Sequence, residues 1–292
     1  MTTDIRQGIL TKEEYLSEAR LMYTPVILAL QNREAHSVDF SNVKFKDINV
    51  EQESIVAEIL TKEATEKAHI KARGIEKSFN IYLKGAKITQ SLNDKQINLQ
   101  KVHNRVIRDY SIIWDSMGLH GENGNNGLLS STDEYYVTNA NHEIPAAGAA
   151  GDDFAQVQDV NNLILKLKQQ VSDTTSSQDV KIFVYGNDLL TFMGKITKNN
   201  ETSVREILQK AFPAAMFIEV PSIALKAGDG NGFVVVSDDA TTLHYTTEPT
   251  IKNQGENSED NYYYANYVLG SVQVTPDLEG AIIKQPITFA AA

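Results

Sequence analysis

Apolar residues recur every three or four positions over residues 94–117, at Leu99, Val102, Val106, Tyr110, Ile113 and Met117, and Ile97, Ile107 and Trp114 widen the stripe. That spacing keeps one face of an α-helix buried along its whole length. The other face, Asn98, Lys101, Arg105, Arg108 and Asp115, reads as solvated. Ser91 with Asp94 has the form of a capping box, and Gly118 reads as the stop. At about 1.5 Å per residue the helix is roughly 36 Å long, enough to cross a domain. It runs into GLHGENGNNGLL, whose glycines at 118, 121, 124 and 127 favour an irregular loop.

Before this helix the pattern is weaker. Tyr15, Leu16, Ala19 and Met22 line one face of a short helix, with Thr11 and Glu14 at its cap, and Pro25 breaks or restarts it. Val38, Phe40, Val43 and Phe45 then alternate roughly by two. This arm buries too little to fold alone. It either packs on its own domain or lies on a neighbouring subunit. Residues 54–60 and 78–89 read as paired strands, the second with Phe79, Ile81 and Leu83 on one face. Between them TKEATEKAHIKARGIEK carries Lys62, Glu63, Glu66, Lys67, Lys71, Arg73, Glu76 and Lys77. Connections longer than roughly 12–15 residues are functional or disordered more often than structural.

Past the loop, PAAGAAG at 145–151 marks a flexible boundary. An alternation of helices and short apolar strands follows. Residues 154–171, 188–196 and 203–211 are predicted helices, the last with a Ser203–Glu206 capping box; residues 181–185, 216–220 and 232–237 are predicted strands. Strand character returns over 243–247, 262–274 and 281–287.

Composition narrows the field. The 292 residues include 41% hydrophobic ones, enough for a large core, and no cysteine, which excludes disulfides and thiolate metal sites. No apolar run is long enough to span a bilayer, and MTTDIRQG lacks a signal-peptide core, so a soluble, cytoplasmically made chain without a membrane partner is expected. The net charge of −11 disfavours tight, specific nucleic-acid binding. It is uneven: residues 1–150 hold 17 basic and 20 acidic side chains, residues 151–292 only 10 against 18.

Catalytic motifs are missing. GENGNNG follows a helix and lacks the Lys-Ser/Thr of a phosphate-binding loop; His142-Glu143 lacks a second histidine; no G-x-S-x-G occurs. Asp229-Gly-Asn231-Gly reads as a tight turn, since the other calcium-loop oxygens are missing. The six histidines show no ligand spacing, so no cofactor or metal is expected.

The order of arm, charged hairpin, long single-tryptophan helix and Gly127-Leu128-Leu129 loop resembles the tailed-phage major capsid proteins, whose fold encapsulins share. The tyrosine-rich strand running into Gly270, Val274-Thr-Pro276, Thr202-Ser-Val-Arg-Glu-Ile-Leu, Phe212-Pro213 and Val220-Pro221 add to the resemblance. It implies an α+β fold: N-terminal arm (1–50), extended hairpin loop (51–90), peripheral domain with spine helix and glycine loop (91–150), α/β axial domain (151–245) and return strands of the peripheral domain (246–292). It implies a non-enzymatic shell protein, a component of the virion capsid assembled in the host cytoplasm, that associates with itself in hexamers and pentamers. The further partners it implies are portal and scaffolding proteins, a decoration protein and non-specifically packaged double-stranded DNA. The start at Met1 without a coiled-coil prefix suggests a separate scaffold or a removed segment. An encapsulin-type cargo shell is the alternative, and an α/β enzyme such as a hydrolase a more distant one. On this view Lys62, Lys67, Lys71, Arg73, Lys77, Gly121 and Gly124 would touch neighbouring subunits, and Lys101, Arg105 and Arg108 would face DNA in the lumen. The plainer alternatives are a disordered surface loop for the hairpin and a merely solvated face for the helix.

Overall fold

The computed structural model describes residues 25–37, 46–48, 60–72, 75–91, 99–147, 154–177, 179–197, 201–257 and 262–290. The predicted helix capped at Thr11, the alternation over 38–45, residues 54–59 and Asp94 of the expected capping box lie outside them. In chain order come helix α1 (Pro25–Ala29), strands β1 (Arg33–Ala35), β2 (Lys46–Ile48), β3 (Leu60–Ala72) and β4 (Ile75–Ser91), helix α2 (Leu99–His120), and strands β5 (Tyr136–Thr138) and β6 (His142–Ile144). Helix α3 (Phe154–Thr175) leads to β7 (Val180–Tyr185), α4 (Asn187–Gly194), α5 (Val204–Ala211), β8 (Ala215–Glu219) and β9 (Asn231–Ser237). The remainder is strand: β10 (Thr241–Tyr245), β11 (Thr250–Asn257), β12 (Tyr262–Gly270), β13 (Val272–Pro276) and β14 (Ile282–Phe289).

A six-stranded sheet in the order β5-β14-β9-β7-β8, with β6 also on β14, is covered on both faces. Its side chains alternate by the period of two that a strand imposes. Ile182, Val184, Phe233, Val235 and Ile283 join α3, α4 and α5 in one core. Phe183, Tyr185, Val234, Val236 and Ile282 join α1 and α2 in another. Burial on both faces is why KIFVY and GFVVVS are continuous apolar runs. β14, expected among the return strands of a separate domain, lies between β9 and β5 in this sheet, so the 245/246 division falls within one hydrogen-bonded layer. The predicted capping box of α5 forms, Glu206 N–H donating to Ser203 Oγ at 3.2 Å.

Helix α2 buries the predicted stripe at Val106, Tyr110, Trp114 and Met117. Trp114 meets Tyr245 edge-on at 6.1 Å, and Tyr110 meets Tyr267 at 6.4 Å. Two expectations are corrected. Gly118 does not stop the helix, which runs on to His120. A side chain at Gly118 would strike Ile27 at 2.8 Å, so this glycine is the notch where α1 crosses α2. Gly121, at φ +67°, is the stop, and its N–H donates to the Met117 carbonyl. The chain then doubles back, and Leu128 and Leu129 N–H groups satisfy the carbonyls of Gly118 and Leu119.

The second correction is Asp115, which is fully buried instead of solvated. Its Oδ1 accepts the Ile27 N–H at 2.9 Å, at the N-terminal end of α1. At the other end Lys181 Nζ reaches the Ala29 carbonyl and pairs with Asp238 at 2.6 Å. Arg33 donates to the carbonyls of Ile27 and Leu30 at 2.7 and 2.9 Å. Helices this short are unstable alone. Here the Asp115 carboxyl accepts an otherwise unpaired N–H at the N-terminal end, and the cations of Lys181 and Arg33 meet the carbonyls at the other end, as the helix dipole favours. Val26, Ile27 and Leu30, all buried, each add roughly 1.5–3 kcal/mol on the scale for fully buried apolar side chains. Burial pushes the Asp115 carboxyl up to about 8, against the pull of the Ile27 and Val26 amides.

Candidate assembly surfaces

The segment expected to be a long charged connection is strand almost to its tip. β3 and β4 pair from Leu60–Gly85 out to Ala72–Ile75, with one register irregularity between Lys62 and Glu66, leaving residues 73–74 between them. At about 3.3 Å per residue, β4 spans roughly 55 Å. Its inner part is flanked by β12 and β2; beyond Leu83 it pairs with β3 alone among the described residues.

The inner face of β4 lies on its own chain. Phe79, Ile81 and Leu83 are buried, and the Phe79 ring sits 4.9 Å from that of His36. Lys77, expected at a subunit contact, is engaged internally: its ammonium pairs with Asp133 at 2.8 Å, donates to the Pro276 carbonyl and lies over the Tyr135 ring. What β4 leaves over is the far edge of β3, which pairs with no other strand among the described residues. Lys62, Lys67 and Lys71 belong to that strand, Arg73 to the tip outside the described residues.

The glycine loop is clamped to the hairpin. Asn125 Oδ1 accepts the Asn80 N–H at 2.8 Å and its Nδ2 donates to the Asn80 carbonyl at 2.9 Å, imitating a strand neighbour. Asn80 Nδ2 in turn donates to the Asn123 carbonyl at 2.8 Å. Gly121 is buried here, and a side chain on it would overlap the Asn125 carbonyl, so its glycine is required by the loop itself. Gly124 is exposed at the loop's outer side. On α2, Arg108 is half-exposed beside Asp109 at 3.0 Å; Lys101 and Arg105 share the helix, their side chains outside the described set.

The sequence reading missed several exposed apolar residues. Met216 stands on β8, the open edge of the six-stranded sheet, and Ile196 and Ile223 are exposed nearby in the chain. Ile196 stands between Lys195 and Thr197, while Met216 and Ile223 each have an apolar neighbour and read as interior positions. His142 Nε2–H donates to Asp159 Oδ2 at 2.7 Å, but no serine or threonine hydroxyl completes a nucleophilic set with them among the described residues. No helix of the described residues is long and apolar enough to cross a membrane.

A mixed α+β chain with a long central helix, a strand hairpin ahead of it and a helix-covered sheet behind it has the fold of tailed-phage capsids and encapsulins. The capsid of the Myoviridae phage XM1 is similar over 87% of this chain and 95% of its own, with a TM-score of 0.55 and 17% identity. A virus-like particle from Pyrococcus furiosus is similar over 94% and 97%, with a TM-score of 0.51 and 10% identity. An encapsulin complex from Synechococcus elongatus is similar over 94% and 92%, with a TM-score of 0.50 and 8% identity. No protein-family model matches the chain, and no curated protein matches it in sequence.

Proposed function

We propose that the chain is a major capsid protein without catalytic activity, whose copies self-assemble into an icosahedral shell around phage double-stranded DNA. The observation that carries the reading is the free edge of β3. It offers 13 residues of strand paired on one side only, among the described residues. Such an edge is a liability in a monomer and a contact in an assembly. Lys62, Lys67, Lys71 and Arg73 suit it to an acidic surface, and the more acidic part of the chain, residues 151–292, supplies one on another copy. A contact between two different patches of like subunits generates rings, here hexamers and pentamers.

In this reading residues 1–50 are an arm, 51–90 the extended hairpin, 91–150 the peripheral domain, 151–245 the axial domain and 246–292 the return strands of the peripheral domain. Gly124 meets a neighbour at the loop's outer side. Lys101, Arg105 and Arg108 give weak, salt-screened phosphate contacts in the lumen. The shell forms in the host cytoplasm, becomes the virion capsid, and works with portal, scaffolding and decoration proteins.

Size-exclusion chromatography and negative-stain microscopy of the purified chain test this. Closed particles of megadalton mass are expected, and a stable 32.4 kDa monomer overturns the reading. Particles that enclose a protein cargo in place of DNA would move it to an encapsulin-type shell.

A further inference from the structure

β1 and β10 run parallel with Glu34 opposite His244, and His36 extends the ladder by donating its N–H to the Tyr245 carbonyl at 2.8 Å. Glu34 and His36, two residues apart, therefore share a strand face with His244. Their ligating atoms converge. His36 Nε2 lies 3.2 Å from His244 Nδ1, Glu34 Oε2 lies 3.1 Å from the same nitrogen, and all three lie within 4.8 Å of one another.

A single proton bridges only two of these three atoms. His244 Nδ1 carries either one hydrogen or one lone pair. As a donor it can point its hydrogen at the carboxylate or at His36, not well at both. As an acceptor from His36 it sets its lone pair against that of the Glu34 oxygen. His244 Nε2 is buried with no partner in either tautomer. A cation at the centre accepts all three lone pairs together. Tetrahedral ligands about 2.0–2.1 Å from a zinc-like ion stand roughly 3.3–3.4 Å apart, close to the 3.2 and 3.1 Å that separate His244 Nδ1 from its two neighbours.

We propose that Glu34, His36 and His244 bind a divalent first-row transition ion, zinc above all, that fastens the segment after α1 to β10. Two imidazoles and a carboxylate suit such ions and not calcium or magnesium. Three protein ligands leave a fourth position for water, reached through the exposed Glu34 side. The Lys77 charge facing the cluster is answered by Asp133 at 2.8 Å. The ion would join residues 208 apart in sequence beside Phe79 of the hairpin. The inference rests on the single chain and stands whether or not it forms a shell.

The test uses the full chain in its purified state, stripped with a chelator and titrated with Co2+ and then Zn2+. One Co2+ per chain with a four-coordinate visible spectrum is expected, displaced by Zn2+, with a raised unfolding midpoint. His36→Gln, at a half-buried position, should keep the metal-free midpoint and weaken Co2+ binding about tenfold or more. His244→Asn should do the same if it folds, and Glu34→Gln serves in its place if not. Stripped wild-type protein that binds no more Co2+ than His36→Gln overturns the proposal.

Discussion

The six-stranded sheet and the β3–β4 hairpin are both built of strand, and they hold their shape for opposite reasons. The sheet is covered on two faces, and its central strands are almost wholly apolar. The hairpin has one buried face, on β4, and past Leu83 its only strand partner among the described residues is β3. The first is stabilised by what it excludes from water on both faces, the second by one buried face at Phe79, Ile81 and Leu83 and by polar clamps at Lys77, Asn80 and Asn125. If the proposed shell forms, stability and association fall to different regions of the chain. Damage to the sheet and its helices should unfold the subunit, whereas damage to the hairpin's outer strand should spare the subunit and stop it from joining others.

The comparison can be broken most forcefully at Trp114. Trp114→Ala empties a fully buried site between α2 and Tyr245 and should cost about 3–5 kcal/mol, read as a lower urea midpoint or loss of soluble protein. A midpoint unchanged from wild type would show that α2 is not the support assigned to it.

Asp115 sharpens the same side through pH. Its folded carboxyl titrates at about 8, against roughly 3.9 unfolded, so the folded chain holds an extra proton between those values. Stability from this group is greatest at low pH, falls as pH rises from about 4 to about 8, and then levels off. Asp115→Asn keeps the acceptor for Ile27 and removes the charge. Its advantage over wild type should grow across that window to on the order of 5 kcal/mol, measured by urea midpoints at both ends. Parallel pH profiles for the two proteins would count against a buried, protonated carboxyl.

Asn125→Ala probes the clamp. Losing both bonds to the Asn80 backbone should cost about 1–3 kcal/mol and speed hydrogen exchange in β4 near Asn80, leaving β7 and β9 protected. Equal acceleration in all three strands would mean that hairpin and sheet are one cooperative unit. The smallest effect on the subunit belongs to Lys67, Lys71 and Arg73 changed together to glutamate. The unfolding midpoint should move by less than about 1 kcal/mol while particles fail to close; intact particles of normal stability would make the outer strand decoration.

Legibility in the sequence follows the same divide. The stripe of α2, the apolar runs of β7 and β9 and the Ser203–Glu206 cap are local signals, repeated at the period of their element, and they read correctly. β3 was hidden because its residues are charged and gain strand geometry from pairing, not from burial pattern. β11, TIKNQGEN, is polar and glycine-containing, and only β12 makes it a strand. Asp115 sits among solvated-looking neighbours, and what buries it is Ile27, 88 residues earlier. Likewise nothing in the spacing of the histidines announces that His36 meets His244. Contacts whose cause lies far along the chain leave no periodic trace.

The position of β14 has a consequence for how the protein is made. Residues 282–289 emerge from the ribosome after every other described element, yet among the described residues β5 and β6 have no other strand to pair with, and β9 keeps an open edge until they arrive. At about 5–20 residues per second, a nascent chain carries finished helices for seconds before its central layer can close. Translation thus acts as a clock: a truncated or unfinished polypeptide lacks the strand that β5, β6 and β9 pair with, so the time taken to reach β14 sets when the sheet can close.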